Sequence, residues 1–514
     1  MNSAEQGLLG ATPSEGEAAV ALRRTRIICT LGPASWSEER IESLVRAGMD
    51  VARINFSHGT QEEHARTIAR VRSVEERLRR PVAILQDLQG PKIRTGELTG
   101  HTPVTLRDGQ TFMITSRAIS GDANAVSTTY SALPSDVKSG DRILISDGAI
   151  ELRVREVKAQ DVITDVIHGG ALAEHQGINL PGVAVSAPAL MDKDRADLAF
   201  GIRHNVDYIA LSFVRRSDDI RAAKALIAEE IAARPELERP RAPQGLHPSA
   251  YAAESTVPLI AKLEKPEAIA NLDSILLVAD GVMVARGDLG VEMPLEQVPL
   301  LQKKIIARAN AMGLPVITAT QMLESMVTHP RPTRAEASDV ANAILDGSDA
   351  VMLSAETATG LYPVETVETM ARIAQQTEGA CVRFRPTERR GDSAQAVASA
   401  AYTLAKEAGA KLIAVFTRTG ASAQLMSKER PSMPIVAFTP FQSVYRRLAL
   451  WWGVTPRMSE LQGSTEALLA FADADLQRSG LAKPGDEVVI VGGMPLAGRA
   501  RTNFVRLHRI GDLE

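Results

Sequence analysis

Charged residues suited to phosphate and metal binding stand at the ends of short apolar runs. Lys262 and Glu264 are two positions apart, so in a strand both side chains lie on one face. Asp288 follows the next run, and Arg53 lies near the end of an earlier one. Two carboxylates with open positions between them suit Mg²⁺, and a lysine and an arginine beside it clamp a phosphoryl group. We therefore predict a Mg²⁺ site for an anionic phosphate or carboxylate substrate.

Eight short runs rich in Val, Ile and Leu alternate with segments of helical period. The runs occupy residues 26–31, 51–56, 82–88, 207–214, 257–264, 281–286, 315–320 and 349–354. Short buried strands that alternate with helices indicate a parallel sheet. Eight such units predict an α/β fold built on a (β/α)₈ TIM barrel, with an open two-layer sheet as the alternative on pattern alone.

Polar residues gather at the carboxyl ends of these runs, which form the catalytic face of such a barrel. In chain order they are Arg53, Asn55, Ser57, His58, Asp87, Lys92, Arg94, Lys262, Glu264, Gly287, Asp288, Thr320, Ser354 and Glu356. Gly287 permits close backbone approach, and its amide with that of Asp288 could hold a carboxylate. Each residue alone fits an ordinary structural role, as Asp87 does as a turn cap. Their combination at one rim favours a functional site.

The alternation of strand and helix is interrupted once and then restarts. Residues 95–186 are rich in Thr, Ser, Gly and Asp and predict an all-β lid inserted after the third strand, over the barrel mouth. The predicted organisation is a mobile arm at 1–22, a barrel at 23–94 and 187–374, a β-barrel lid at 95–186, and an α/β domain with a mainly parallel sheet at 375–514. Within the barrel, the proline-rich stretch 234–256 predicts a surface loop on the bottom face.

Composition excludes several classes of protein. The 514 residues include 58 basic and 62 acidic ones, a net charge of −4, which argues against general binding to nucleic acid or a membrane surface. Two cysteines, Cys29 and Cys381, exclude a disulfide scaffold and a four-cysteine zinc site. The longest apolar runs fall short of the ~20 residues of a membrane span. The acidic residues of the N-terminal segment argue against a signal peptide, so we expect a cytoplasmic protein.

Several long motifs resemble, in the same order, those of the pyruvate kinase family. They are 51–59 (VARINFSHG), 258–269 (PLIAKLEKPEAI), 285–290 (ARGDLG), 318–326 (TATQMLESM) and 331–340 (RPTRAEASDV). The resemblance extends over about residues 25–510. It implies the barrel, a β-barrel lid and a C-terminal regulatory domain. It also implies phosphoryl transfer from phosphoenolpyruvate to ADP, giving pyruvate and ATP in the last step of glycolysis, by a homotetramer.

The same resemblance implies roles for individual residues. Glu264 and Asp288 would bind Mg²⁺, for which Mn²⁺ can substitute, and Lys262 would stabilise the phosphoryl group in transfer. Arg53 would hold the phosphate, and Arg94 would lie between the phosphates of the two substrates. Gly287, Asp288 and Thr320 would bind the carboxylate of phosphoenolpyruvate. Thr320, Ser354 and Glu356 would belong to the water network that protonates the enolate. Asn55 and His58 would bind the nucleotide.

One departure from the family pattern concerns K⁺. Many members bind K⁺ through Asn, Ser, Asp and Thr oxygens, with a Glu downstream. Asn55, Ser57 and Asp87 match this set, but Leu88 replaces the Thr and Lys92 replaces the Glu. A fixed ammonium near that place supplies the positive charge of K⁺, so we predict a K⁺-independent enzyme. The alternative is that Lys92 points to solvent and K⁺ is still required.

A second departure lies in the lid, and a second phosphate site is expected in the C-terminal domain. The family has a lysine for the nucleotide phosphate where this chain has Gln176, or His175 if the alignment slips by one. Residues 417–423 follow a strand and open a helix, an arrangement suited to anions. In the family this loop binds allosteric sugar phosphates, so Thr417, Thr419, Gly420 and Ser422 are expected to bind AMP or a sugar phosphate. The alternative is a purely structural helix cap.

Two other functions fit parts of the pattern. Another Mg²⁺ barrel acting on phosphoenolpyruvate or pyruvate, such as a mutase or an aldolase, is disfavoured by the lid and the C-terminal domain. A phosphate sensor without turnover would be favoured by loss of Lys262, Glu264 or Asp288, and all three are present.

Overall fold

The computed structural model describes residues 23–233, 256–379, 392–460, 463–494 and 501–512. The predicted arm at 1–22, all but the last residue of the stretch 234–256, and Cys381 lie outside the described residues. Cys29 lies in the core, where burial raises the pKa of its thiol well above the usual range, as expected of an inert cysteine.

Eight parallel strands form a closed barrel, and each corresponds to one of the predicted runs. They are Arg26–Thr30, Val51–Asn55, Ala83–Asp87, Tyr208–Leu211, Leu259–Leu263, Gly281–Ala285, Val316–Ala319 and Ala350–Leu353. We number them one to eight in chain order. The first strand pairs with both the second and the eighth, so the barrel is confirmed and the open sheet is wrong.

Helices surround the barrel and bury one face against it. They are Glu38–Ala47, Gln61–Leu78, Asp192–Arg203, Ser217–Ala232, Pro266–Ala270, Leu272–Leu276, Arg286–Glu292, Val298–Ala311, Arg334–Leu345, Ala355–Ala358 and Pro363–Gly379, with 3₁₀ turns at Leu295–Gln297 and Glu324–Val327. Sequence determines where several begin. At Gln61–Leu78, for example, the Thr60 hydroxyl accepts from the Glu63 amide, and the Glu63 carboxylate accepts from the Thr60 amide. This pair of bonds is a capping box. The predicted boundary at residue 375 falls inside the last of these helices.

The lid is all β, as predicted, and has its own apolar core around Phe112, Ile143 and Leu152. Its strands are Val104–Leu106, Thr111–Thr115, Ala125–Ser127, Arg142–Ile145, Ile150–Lys158, Asp161–His168, Gly170–Leu172 and Ile178–Asn179, with helical turns at Thr99–His101 and Leu133–Asp136. Six of the strands form one sheet that resembles half of a barrel. From sequence, turn signals indicate strands at 111–115, 142–146 and 150–157. Among the strands they miss is Asp161–His168, where isoleucines on the outer face obscure the alternation.

The C-terminal domain contains a five-stranded sheet, four strands parallel and the last antiparallel. The strands are Leu412–Phe416, Ile435–Thr439, Val454–Met458, Glu487–Gly492 and Phe504–Arg509; the helices are Ser393–Glu407, Ala421–Lys428, Gln442–Arg447 and Thr465–Arg478, with a 3₁₀ turn at Leu448–Leu450. The mainly parallel sheet is confirmed. Apolar runs predict the other four strands, at 411–416, 434–438, 487–492 and 504–508. They do not predict Val454–Met458, which Pro456 interrupts and which lies at the edge of the sheet, where proline is tolerated. None of the helices that the structure describes is long and apolar enough to cross a membrane.

Candidate active site

Lys262 lies at the centre of the polar cluster in the barrel mouth. Its ammonium is 2.8 Å from a Glu264 oxygen and 3.2 Å from Asp87 Oδ1, and it donates to Ser212 Oγ at 2.8 Å. Burial disfavours the charged form, but the two carboxylates outweigh it and raise the pKa of Lys262. The lysine is therefore a fixed positive charge at neutral pH.

Arg53 is held beside this lysine by the same carboxylate. Its Nε donates to Asp87 Oδ2 at 2.7 Å, and its Nη1 donates to Thr30 Oγ1 at 2.8 Å. The Asp87 side chain is 1% exposed. Burial opposes its ionisation, but Lys262 and Arg53 lower the pKa of Asp87 below its usual value. Asp87 thus positions two cations at the mouth, a role beyond the monovalent-cation set predicted from sequence.

Glu264 and Asp288 are the two carboxylates predicted to hold a metal. Glu264 is buried, and the Phe213 amide donates to its Oε2 at 2.8 Å. Burial raises the pKa of Glu264, the nearby Asp288 raises it further, and Lys262 opposes both. Two neighbouring carboxylates that repel each other suit a divalent cation. Among the described residues no group of three possible ligands occurs, so water and substrate oxygens would complete the shell.

The predicted carboxylate-binding residues are held together at the ends of strands six and seven. The Gly287 amide donates to Thr320 Oγ1 at 2.7 Å, and Gly287 lies in the first turn of the helix Arg286–Glu292. Thr320 has a φ of 70°, a costly backbone conformation for a β-branched residue. Arg286 holds it there by donating to the Thr320 carbonyl at 2.8 Å, and Arg286 itself pairs with Asp339.

Ser354 and Glu356 follow strand eight, but their contacts differ from those expected of a proton relay. Glu356 is fully buried. One of its oxygens accepts from the Ser354 amide at 2.6 Å and the other from the Leu323 amide at 3.2 Å. These bonds join the loops that follow strands seven and eight. Glu356 therefore positions backbone around Thr320, and its role in enolate protonation stays a prediction.

A cluster of positive charge surrounds His58 on the other side of the mouth. Partial burial lowers the pKa of His58, and Arg94, Lys92 and Arg53 lower it further. Lys92 is exposed, but its stem lies near Gly177 of the lid.

The residues expected at the nucleotide and monovalent-cation positions are arranged as follows. Asn55 Oδ1 accepts from the Ser57 amide at 3.2 Å. Leu88 is buried in the barrel core. Arg94 reaches the lid, where its Nη1 donates to the His175 carbonyl at 2.9 Å. Within the lid, the Gln176 amide donates to Thr95 Oγ1 at 2.9 Å. The side-chain Oε1 of Gln176 is buried without a hydrogen-bond partner among the described residues.

We expect that replacing Lys92 with methionine raises the pKa of His58 towards its ordinary value near 6.5. Removing a nearby cation favours the imidazolium. NMR titration of the His58 ring in both proteins measures the change. Lys138→Met, on an exposed lid position, is the matched control and is expected to leave the His58 titration unchanged. An unchanged pKa in the Lys92 variant would show that this ammonium points away from the mouth.

In the C-terminal domain, the residues predicted to bind an effector lie at the start of one helix. Gly420, with a φ of 92°, precedes the helix Ala421–Lys428, and its amide donates to Thr417 Oγ1 at 3.0 Å. The Ala421 amide donates weakly to Thr419 Oγ1 at 3.4 Å. Ser422 Oγ pairs with Thr502 Oγ1 at 2.7 Å. The loop is therefore preordered, and effector binding there stays a prediction.

Sequence reasoning missed three residues of the barrel mouth: Ser212, Phe213 and Arg286. No residue at the end of strand four was expected at the rim. Ser212 nevertheless follows that strand directly, in the same place as the polar residues that follow the other strands. Phe213 acts through its amide, which no sequence pattern reveals. Arg286 is visible in the motif at 285–290, but its contacts to the end of strand seven depend on the tertiary structure.

Comparison with known proteins agrees with this arrangement. A family model for the pyruvate kinase barrel domain matches residues 22–234 and 249–367, and one for the pyruvate kinase alpha/beta domain matches residues 395–508. The match to both domains excludes the mutase and aldolase alternative.

Relatives match over nearly the whole chain. Pyruvate kinase from Geobacillus stearothermophilus is 45% identical over 96% of this chain and 81% of its own length. Pyruvate kinase from Clostridium acetobutylicum is 40% identical over 95% and 99%. The crystal structure of a pyruvate kinase from Cryptosporidium parvum covers 97% of this chain, with all of its own length matched, at a TM-score of 0.86 and 36% identity. The chain therefore belongs to the pyruvate kinase family of phosphotransferases.

Proposed function

We propose that this protein transfers the phosphoryl group of phosphoenolpyruvate to ADP, giving pyruvate and ATP. The observation that carries the proposal is the Lys262 ammonium, held between Asp87 and Glu264 beside Arg53. Phosphoryl transfer is mainly positioning and charge neutralisation, and both cations are fixed for that task. The lid above them would exclude water, which otherwise intercepts the phosphoryl group.

We further propose that Glu264 and Asp288 hold Mg²⁺, with Mn²⁺ as a substitute. Glu264 is buried with its carboxylate near that of Asp288, and two such carboxylates suit a divalent cation. When bound, the metal would neutralise phosphate and carboxylate oxygens of the substrates. The residues of the chain act around it: Thr320 and the Gly287 amide orient the substrate carboxylate, and Arg53 orients the phosphate.

The proposed reaction is tested by measuring pyruvate and ATP from phosphoenolpyruvate and ADP, with and without Mg²⁺, and with and without K⁺. Equal rates with and without K⁺, and none without a divalent metal, are the expected results. If no product forms even when AMP and sugar phosphates are added, the phosphate-sensor function becomes the better explanation.

We propose that Lys92 makes the enzyme independent of K⁺. Two observations support this. Lys92 and Arg94 both act on His58, so the ammonium contributes positive potential on that side of the mouth. Leu88 is buried among apolar residues and has no side-chain oxygen to offer a cation.

Converting Leu88 to threonine and Lys92 to glutamate together is expected to make activity depend on K⁺. Without K⁺ the double variant loses the fixed charge, and we expect at least a tenfold lower kcat, restored by adding K⁺. Lys138→Glu, a charge reversal on an exposed part of the lid, is the control and is expected to behave as wild type. Full activity of the double variant in K⁺-free buffer would overturn the role of Lys92.

We also propose allosteric regulation by AMP or a sugar phosphate at Thr417, Thr419, Gly420 and Ser422. The helix Ala421–Lys428 links that loop to the barrel, since Lys428 Nζ at its end donates to Asn310 Oδ1 at 2.8 Å and to Asp349 Oδ2 at 2.7 Å. An effector that shifts the helix would thus act on the start of strand eight. From the family we also propose that the protein is a homotetramer.

A further inference from the structure

A buried carboxylate on a barrel helix outside both connecting segments holds the end of the last lid strand. Glu292 Oε1 accepts from Lys265 Nζ at 2.6 Å and from Asn179 Nδ2 at 3.1 Å. Asn179 lies on the last strand of the lid, Ile178–Asn179. Glu292 is the last residue of the helix Arg286–Glu292, and its side chain is 2% exposed. A charge so deeply buried requires its partners.

The other hydrogen bonds between lid and barrel, among the described residues, lie where the chain passes from one to the other. They involve Ile93 and Arg94 on the outgoing segment, and Arg215, which holds the carbonyls of Val185 and Ala187 on the returning segment. Rotation of the lid about these segments would leave such bonds in place. The bond from Asn179 to Glu292 differs, because Glu292 belongs to a helix outside both segments. The amide of the neighbouring Ile178 stays on the Ile93 carbonyl, but a rotation of the lid changes the distance from the Asn179 side chain to Glu292.

On the barrel side, Glu292 and Lys265 lie on the same chain segments as the proposed metal ligands Asp288 and Glu264. Glu292 ends the helix whose first turn contains Gly287 and Asp288. Lys265 follows Glu264 in the chain, and its ammonium lies 5.6 Å from the centre of the Phe213 ring. The amide of Phe213 in turn donates to Glu264. Asn179, Lys265 and Asp288 also line one cavity between the lid and the barrel.

We infer that Asn179, Glu292 and Lys265 form a latch that couples closure of the lid to the position of the helix carrying Gly287 and Asp288. In the closed state Glu292 has both partners, and the helix is fixed at its end as well as at its start. In the open state Glu292 keeps only Lys265. The three are positioning residues, since none of them contacts the reacting groups. The latch rests on the proposed function, because lid closure matters only if the lid protects a phosphoryl group from water.

The test is Asn179→Ala in the full-length protein, with Asn124→Ala, on an exposed lid turn, as the matched control. A hydrogen bond to a charged group of this kind shifts an open–closed equilibrium by about tenfold to a hundredfold. We therefore expect amide hydrogen exchange in residues 176–183 and 286–292 to become about tenfold faster in the Asn179 variant and to stay unchanged in the control. Unchanged exchange in both segments would overturn the latch.

Kinetics of the same variants give a second readout that a loss of folding would not mimic. With the lid less often closed, water competes with ADP, and phosphoenolpyruvate and water give pyruvate and inorganic phosphate. We expect less than one ATP per pyruvate in Asn179→Ala, a lower kcat, and one ATP per pyruvate in the control. Asn179→Gln keeps the donor and is expected to recover part of the loss. A ratio of one in Asn179→Ala would contradict coupling of the latch to catalysis.

A double-mutant cycle, and the fact that hydrogen exchange is measured without substrate, complete the test. In a double-mutant cycle with Glu292→Gln, the exchange effects of the two substitutions are expected to be less than additive, and strict additivity would show that Asn179 and Glu292 act separately. The exchange experiment needs no substrate. If wild type forms no ATP while exchange still changes in Asn179→Ala, the latch stands and the proposed reaction fails.

Discussion

Replacing Lys262 with methionine is expected to lower kcat for pyruvate formation by about 10²- to 10³-fold, the usual loss when a fixed electrostatic group at a transition state is removed. Methionine keeps the length of the side chain but removes the charge. The phosphoryl group in transfer would then lack the ammonium that Asp87, Glu264 and Ser212 hold in place.

The measurement is the initial rate of pyruvate formation at saturating phosphoenolpyruvate, ADP and Mg²⁺. The control is Lys224→Met, which also removes a paired lysine from the barrel. Lys224 pairs with Asp280 at 2.7 Å, before the start of strand six and therefore on the opposite face of the barrel. It is expected to keep wild-type kcat. A loss of less than tenfold in Lys262→Met would show that this ammonium does not carry the phosphoryl chemistry.

Asp349→Asn is expected to lower the free energy of unfolding by about 3–5 kcal/mol, the usual cost of leaving one partner of a buried ion pair without the other. Asp349 is fully buried before strand eight and pairs with Lys428 and Arg430 of the C-terminal domain. Burial lowers the pKa of Lys428 to about 8, with Asp349 opposing the shift, so the ammonium is still charged at pH 7. Asparagine is neutral, so the buried ammonium of Lys428 would lose the negative charge of Asp349.

Urea unfolding at pH 7 and a fixed protein concentration measures this effect. Asp218→Asn is the control, since Asp218 pairs with Arg221 on the surface and exposed pairs contribute little. It is expected to leave the midpoint unchanged. Adding Lys428→Met to Asp349→Asn is expected to recover part of the loss, because it removes one uncompensated charge. A loss below about 1 kcal/mol in Asp349→Asn would contradict the importance of this contact between the domains.

The barrel could be predicted from local pattern because each strand is a short apolar run buried on both faces. Once the strands are parallel, their carboxyl ends share one rim. The spacing of Lys262 and Glu264, and the place of Asp288 after the next strand, therefore sufficed to predict a common site. The lid was predicted from composition and turns, although strand Asp161–His168 was missed for lack of clear alternation.

Local periodicity and motifs therefore sufficed to predict the fold class, the family resemblance and the residue types at the barrel mouth. Which residues hold those side chains in place depends on how the elements pack together. Asp87 fixes both Arg53 and Lys262, and the Phe213 amide holds Glu264. These contacts, like that of Asn179 with Glu292 113 positions away, join segments distant along the chain. Periodicity records which face of its own element a side chain occupies; packing between elements decides its partner.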